Sequence, residues 1–220
     1  MSSRLLYRLS GVALIIGSVL SIGYYISEAF IPGPFPQALA GPVAVIGSLI
    51  GFLGSLLVLL GLPGMYVRQA KLAGLLGLLG FLLVWYVIVF QGVLIPFTSV
   101  TIEPLLVTTP ATAHIVAAGP LTSFDPFNYV SMVGETVGVL LLAIATLRAR
   151  VFPRWTAWLL IATVVLNAAS FVPFIPGALG SVATILGYLP LAGFGYILLS
   201  AEQRESVEAH PSSVQAHARA

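Results

Sequence analysis

Glu135 is the residue whose placement most invites chemistry. It sits in the apolar run MVGETVGVLL (Met132–Leu141) with no second charge beside it. If that run crosses a bilayer, an ionised carboxylate at its centre is unfavourable by about 2.5–3.5 kcal/mol on insertion scales. Uptake of a proton is the least demanding escape, and hydrogen bonding to a neighbour is the next. Three sets of residues lie at comparable depth. Asn167 is in a later apolar run, Gln91 in an earlier one, and Tyr24 and Tyr25 near the end of the first. No Lys or Arg shares that depth, so the chain offers Glu135 hydrogen-bond partners but no counter-charge. The expected ground state is a neutral Glu135 bonded to Asn167. Two uses follow. One is a site sensitive to protons or cations, with Glu135, Asn167 and Gln91 as its members. The other is polar adhesion between helices, worth about 0.6–2 kcal/mol.

Other constellations are thinner. Glu28, Glu103, Asp125 and His114 supply oxygen and imidazole groups, but their spacing matches no cation-binding loop. Gly47 with Gly51, and Gly134 with Gly138, have the four-residue spacing that lets helix backbones touch, and Ala13 with Gly17 repeats it weakly. Internal packing is the expected use of these glycines, ahead of dimerisation. Pro190 interrupts the last apolar run between Gly187 and Gly193, and an ordinary kink is expected there. No apolar run holds a His or a Lys, and neither HExxH, GxSxG nor a glycine-rich phosphate loop occurs. TILGYL, from Thr184, only faintly echoes a potassium filter. With no cysteine in the chain, thiolate metal sites and Cys nucleophiles are excluded. No catalytic set is expected, and no metal or cofactor.

The elements that must carry these residues are set by composition. Of 220 residues, 59% are hydrophobic and 7% charged, with mean hydropathy +1.06. Ordinary soluble domains carry about 25% charged residues, so lipid is the expected solvent. Helical spans of roughly 20 residues are read at 9–27, 42–62, 72–95, 127–147, 155–174 and 177–200. Between them lie Pro- and Gly-rich breaks: IPGPFPQALAGP, GLPGMYVRQAK, RARVFPR and VPFIPG. Six spans place all nine Lys and Arg (Arg4, Arg8, Arg68, Lys71, Arg148, Arg150, Arg154, Arg204, Arg219) on one side, leaving Glu28, Glu103 and Asp125 on the other. Basic loops stay cytoplasmic, so both termini are expected inside.

Arg4 and Arg8 before an apolar run have the outline of a signal peptide, but no small-x-small cleavage site follows, and an uncleaved first helix is expected. Residues 201–220 are polar and aperiodic, which predicts a disordered tail with solvated His210 and His217. Residues 97–126 form the one long outer connection. Within it, Thr109-Pro110 predicts a capped short helix through ATAHIVAAG, lying at the mouth of the bundle. VIGSLIGFL (Val45–Leu53) aligns with MVGETVGVL (Met132–Leu140) at both glycines, and KLAGLLGLLG with RWTAWLLIAT, the outline of a parallel repeat of two hairpins.

Three stretches carry a resemblance: LLYRLSGVALIIGSVLSI, GLPGMYVRQAKLAGLLGLLGFLL (Gly61–Leu83) and TLRARVFPRWTAWLLI (Thr146–Ile161). They resemble a loose group of uncharacterised bacterial six-span integral membrane proteins. The resemblance implies a bacterial inner-membrane setting and a six-helix bundle, and brings no activity or site residue with it. The expected fold is therefore all-α, a polytopic transmembrane bundle with both termini cytoplasmic. A binding or assembly role in the bilayer leads among functions. A small transporter using Glu135 follows, and a lipid-processing enzyme with His114 folded over Glu135 comes third. Membrane lipids are the expected partners. The scattered basic residues form no nucleic-acid patch, and no motif specifies a protein partner or a homo-oligomer.

Overall fold

The computed structural model describes residues 3–28, 30–31, 37–109, 111–112, 114, 125–170, 172, 174 and 178–208. Nearly all of these are helical, with no strand among them. In chain order they form α1 (Ser3–Glu28), a 3-10 turn (Gln37–Ala40), α2 (Pro42–Val87), a π-helical segment (Ile88–Leu94), α3 (Ile95–Thr101) and α4 (Glu103–Thr108). Then follow α5 (Asp125–Ala149), α6 (Arg154–Ser170) and α7 (Ala178–Glu208). Four helical stretches are long and apolar enough to cross a membrane: Leu5–Glu28, Pro42–Thr108, Pro126–Ala149 and Leu179–Ser200.

The second of these is 67 residues long. Straight, it would reach about 100 Å at 1.5 Å per residue. Instead it folds back on itself. Gly74 has φ 59° and ψ −155° inside α2, a conformation open essentially to glycine alone. Residues equidistant from it then meet: Tyr66 stacks on Phe81 with ring centroids 4.7 Å apart, and Phe52 lies 6.0 Å from Phe97. A Cβ on Gly92 would stand 2.6 Å from Ser55 Oγ. The sequence places the break over GLPGMYVRQAK (61–71), which ends three residues before Gly74. Pro63 lies inside the helix, and the two glycines of that stretch serve another purpose. A Cβ on Gly61 would come within 2.8 Å of the Ser10 carbonyl oxygen, and one on Gly64 would overlap the Ser10 side chain. They let α1 lie on α2. The reversal needs a positive φ, and Gly74 is the residue that supplies it.

Each element packs on the next in sequence order. α1 lies against α2, α2 against α5, α5 against α6, and α6 against α7; α7 returns to α1. Glycine contacts set most of these distances. Gly17 faces the Gly54 carbonyl, Gly11 and Gly195 each face the other's carbonyl oxygen, and Gly80 faces the Leu142 backbone nitrogen. Leu14, Val58, Leu62, Met65, Leu142, Phe194 and Leu198 are fully buried among them.

The outer surface is apolar. On α1, Leu9, Val12, Ile16 and Val19 are exposed at helical spacing, while Ser10, Leu14, Ser18 and Ser21 face inward. Small and hydroxyl residues inside with large aliphatics outside is the inverse of a water-soluble helix. It is the arrangement of helices packed in lipid.

The remaining departures from expectation are local. Residues 97–108, read as the start of the long outer connection over 97–126, fall in α3 and α4. The proposed helix at ATAHIVAAG falls mostly outside the described residues. α7 runs to Glu208 rather than ending at Ser200, since Ala201, Glu202, Gln203 and Arg204 are good helix formers. Residues 209–220, with His210 and His217, lie outside the described set. Pro190 stands inside α7, and the helix continues through it.

Candidate functional site

Glu135 lies ten residues into α5, about 15 Å from its start. Asn167 lies near the end of α6. The two helices run antiparallel, and α6 ends lower than α5 begins, so Asn167, three residues from the end of its helix, comes level with Glu135, ten from the start of its own. Asn167 Nδ2 donates a hydrogen bond to Glu135 Oε1 at 2.9 Å. Asn167 is held in turn, since Ser170 Oγ donates to its carbonyl oxygen at 2.6 Å.

The glycines flanking Glu135 bring α5 against the second arm of the α2 hairpin. A Cβ on Gly138 would stand 2.6 Å from Leu83 Cβ and 3.1 Å from the Val84 backbone nitrogen, and one on Gly134 would stand 3.3 Å from Val87 Cγ2. Gly47 and Gly51 seat α1 on the first arm, where their Cβ atoms would meet Ser27 and the Tyr24 ring. All four glycines are thus spent inside the bundle.

Glu135 opens on a half-open cavity of about 90 Å³, room for a few water molecules. The second α2 arm, the π segment, α5, α6, α7 and α1 all contribute to its wall. Seven of the fifteen lining residues are aliphatic: Val84, Val87, Ile88, Val139, Leu142, Leu160 and Leu191. The polar groups are few: Gln91, Thr163, Thr184 and two tyrosines, Tyr25 and Tyr188, whose rings lie 5.9 Å apart. Gln91 therefore joins Glu135 at the cavity, while the hydrogen bond to the carboxylate comes from Asn167. His114 is exposed and lies outside this wall. Among the described residues, no three His, Asp or Glu side chains gather closely enough to hold a metal ion.

Two features of the wall depart from regular helix. Ile88–Leu94 is π-helical, with the Ile95 N–H reaching back five residues to the Phe90 carbonyl. Pro96 explains part of this. It has no N–H to give, so the carbonyl five residues back, that of Gln91, loses its donor in the π register. The widened turn carries Gln91 and Gly92 to the cavity. On the opposite wall, Gly187 and Tyr188 directly precede Pro190. The sequence marked TILGYL only as a weak filter-like string, yet Thr184, Gly187 and Tyr188 of that string all line the cavity. The legible signal was Gly-x-x-Pro after a threonine. Nothing local showed which face of α7 would turn inward.

No protein-family model, no curated protein and no solved structure matches this chain, so the reading of the site rests on its own residues.

Proposed function

We propose that this chain is a six-span membrane protein with both termini in the cytoplasm, and that it binds a small ligand inside the bilayer at Glu135. Folding back at Gly74 makes two crossings of Pro42–Thr108. α6, at 17 residues, stands at the short end of the spanning range of about 17–25. With the three other apolar helices that makes six, and the basic residues then share one side. The chain has no cysteine, so single-cysteine variants report sidedness cleanly. T108C is expected to react with an impermeant maleimide from outside the cell, and R154C only after permeabilisation. The reverse pattern would overturn the orientation.

The observation that carries the binding role is Glu135, hydrogen-bonded to Asn167 from behind, lining a cavity shared by all but one of the packed arms. The ligand class follows from the wall: a compact apolar body bearing one cationic or hydrogen-bond-donating group. Binding ranks ahead of assembly because Gly47, Gly51, Gly134 and Gly138 face inward, not outward to a second chain. The experiment is a thermal-shift screen of small amines and alcohols on the detergent-purified protein. A ligand that binds only the folded state raises the unfolding temperature. The shift is expected in the wild type and lost in Glu135→Gln. A shift of equal size in both proteins would sink the reading.

A second reading, a small transporter using Glu135 as its titrating group, is favoured by the π turn at Gln91 facing the Pro190 region of α7. Irregular backbone at membrane depth is found where it lines a cavity. Reconstituted vesicles test it: substrate-dependent proton uptake that disappears in Glu135→Gln supports transport over binding alone.

A further inference from the structure

A second recess, at the opposite end of the bundle from α3 and α4, is built quite differently. Its volume is about 490 Å³, and Arg68, Arg150 and Ser200 line it together with Val151, Phe152 and Ile197. The floor is anchored in the core. Phe152 is buried and meets the Phe194 ring edge-on at 4.7 Å, and Val151 and Ile197 pack on the same cluster. Two arginines share this lining, and no carboxylate is among its described residues.

Both arginines are held in unusual ways. Arg68 lies over the Tyr7 ring, its guanidinium carbon 5.5 Å from the centroid. Its Nε is buried and has no hydrogen-bond partner. Arg150 has φ 53°, the one non-glycine residue in the left-handed region among those described. It occupies the position just past α5, where its N–H donates to the Thr146 carbonyl at 3.2 Å. Helices commonly end on a left-handed residue, and glycine takes that role without a side-chain penalty. An arginine there is strained backbone with a guanidinium on it, and strain at a non-glycine residue points to a use for its side chain.

We propose that this recess binds a phosphate group, with Arg68 and Arg150 as its ligands. A guanidinium presents paired N–H donors that match phosphate oxygens, and two of them lining one recess, with no carboxylate among its described residues, select an anion. The flanks fit a phosphate at a membrane surface. Exposed Trp155 and Trp158 on α6 and exposed Tyr196 on α7 are residue types enriched where lipid meets water. Basic pockets at helix ends on that face receive anionic headgroups. An anionic glycerophospholipid and free inorganic phosphate offer the same chemistry, and the test separates them.

The test uses the full chain in an uncharged detergent, titrated with phosphatidylglycerol, with phosphatidylcholine and with sodium phosphate. Saturable phosphatidylglycerol binding is expected, with phosphatidylcholine much weaker because no carboxylate among the described lining residues answers its choline. Arg68→Gln and Arg150→Gln should each weaken binding about fivefold, the loss of one arginine near a lipid surface. Arg148→Gln, an exposed arginine outside the recess, should leave it unchanged. Arg150→Gly guards against a folding artefact: its unfolding temperature should equal or exceed that of the wild type, while binding falls as in Arg150→Gln. If sodium phosphate binds with the same arginine dependence and the lipid does not, the phosphate is the free ion; if the lipid binds and millimolar phosphate does not displace it, the phosphate is a headgroup's. The proposal is overturned if neither probe binds, if Arg148→Gln weakens binding as much as Arg150→Gln, or if Arg150→Gly binds normally.

Discussion

The two cavities answer charge in opposite ways. At mid-helix, Glu135 is met by an amide of the same chain at 2.9 Å, within a space of about 90 Å³ walled by aliphatic side chains. At the basic end, two arginines line a recess of about 490 Å³ with no carboxylate among its described lining residues. The difference follows from what else is available at each depth. Hydrocarbon offers no hydrogen bonds, so a polar side chain there must be satisfied by its own protein. At the helix ends, water, ions and headgroups do that work, and a charge can be left facing outward for a ligand to meet. The mid-helix site is therefore the more tightly specified of the two, and the end site the more open to what the surroundings provide.

The comparison can be broken where the packing is tightest. A Cβ on Gly80 would stand 2.6 Å from the Leu142 backbone nitrogen, and Leu142 lines the Glu135 cavity. Gly80→Val should push α5 off the second α2 arm and destabilise the fold by about 1–3 kcal/mol, read from thermal unfolding in detergent. Phosphate binding at the far recess should change little in the surviving folded protein. An unchanged unfolding temperature would mean that the close approach does not hold the wall.

The next effect is smaller. Asn167→Ala removes the donor to Glu135 and should lower stability by about 0.6–1.7 kcal/mol, the range for hydrogen bonds between membrane helices. Glu135→Gln keeps an acceptor oxygen in place, and its stability should stay near the wild-type value. A double-mutant cycle on the pair separates the bond from the two single losses. A coupling of zero would demote the pair to a chance contact.

The smallest effect is expected near the basic end. Thr146 Oγ1 donates to Gln69 Oε1 at 3.2 Å, and Gln69 is fully buried. Thr146→Val breaks this bond between the α2 hairpin and α5 at a loss of about 0.6 kcal/mol. If the loss instead matched that of Asn167→Ala, hydrogen bonds at the two depths would be equally strong, and the contrast between the two ends would weaken.

Much of the mid-helix site was legible before any fold. Glu135 stood out because nothing charged surrounds it, and Asn167 because two antiparallel helices bring those positions level. The apolar runs were legible from their length alone. The hairpin reversal was not. Pro63, Gly61 and Gly64 carry stronger turn chemistry than Gly74, yet whether a glycine bends the chain or lets another helix touch it depends on what lies opposite. Here α1 lies opposite Gly61 and Gly64, while nothing stands within 4 Å of a Cβ built on Gly74. The π turn had a partial signal in Gly92 and Pro96, but a missing N–H permits several local repairs and does not choose among them. The recess of Arg68 and Arg150 had no signal at all. Its members come from a hairpin end, an interhelix turn and the last helix, and only the packing brings these together.

What the amino-acid sequence determined by itself is the medium and the cast: a helical chain too apolar to be covered by water, with one lone acid in its middle and its cations gathered in a few short turns. Hydrophobic transfer and the need to satisfy backbone polar groups act on composition and run length, and these are properties of the chain read end to end. What the tertiary structure alone decided is which glycines bend and which ones touch, which face of each helix turns inward, and which two arginines share a floor. Those are settled by contacts between residues far apart in the chain, where a few tenths of an ångström at a backbone decide whether two helices meet.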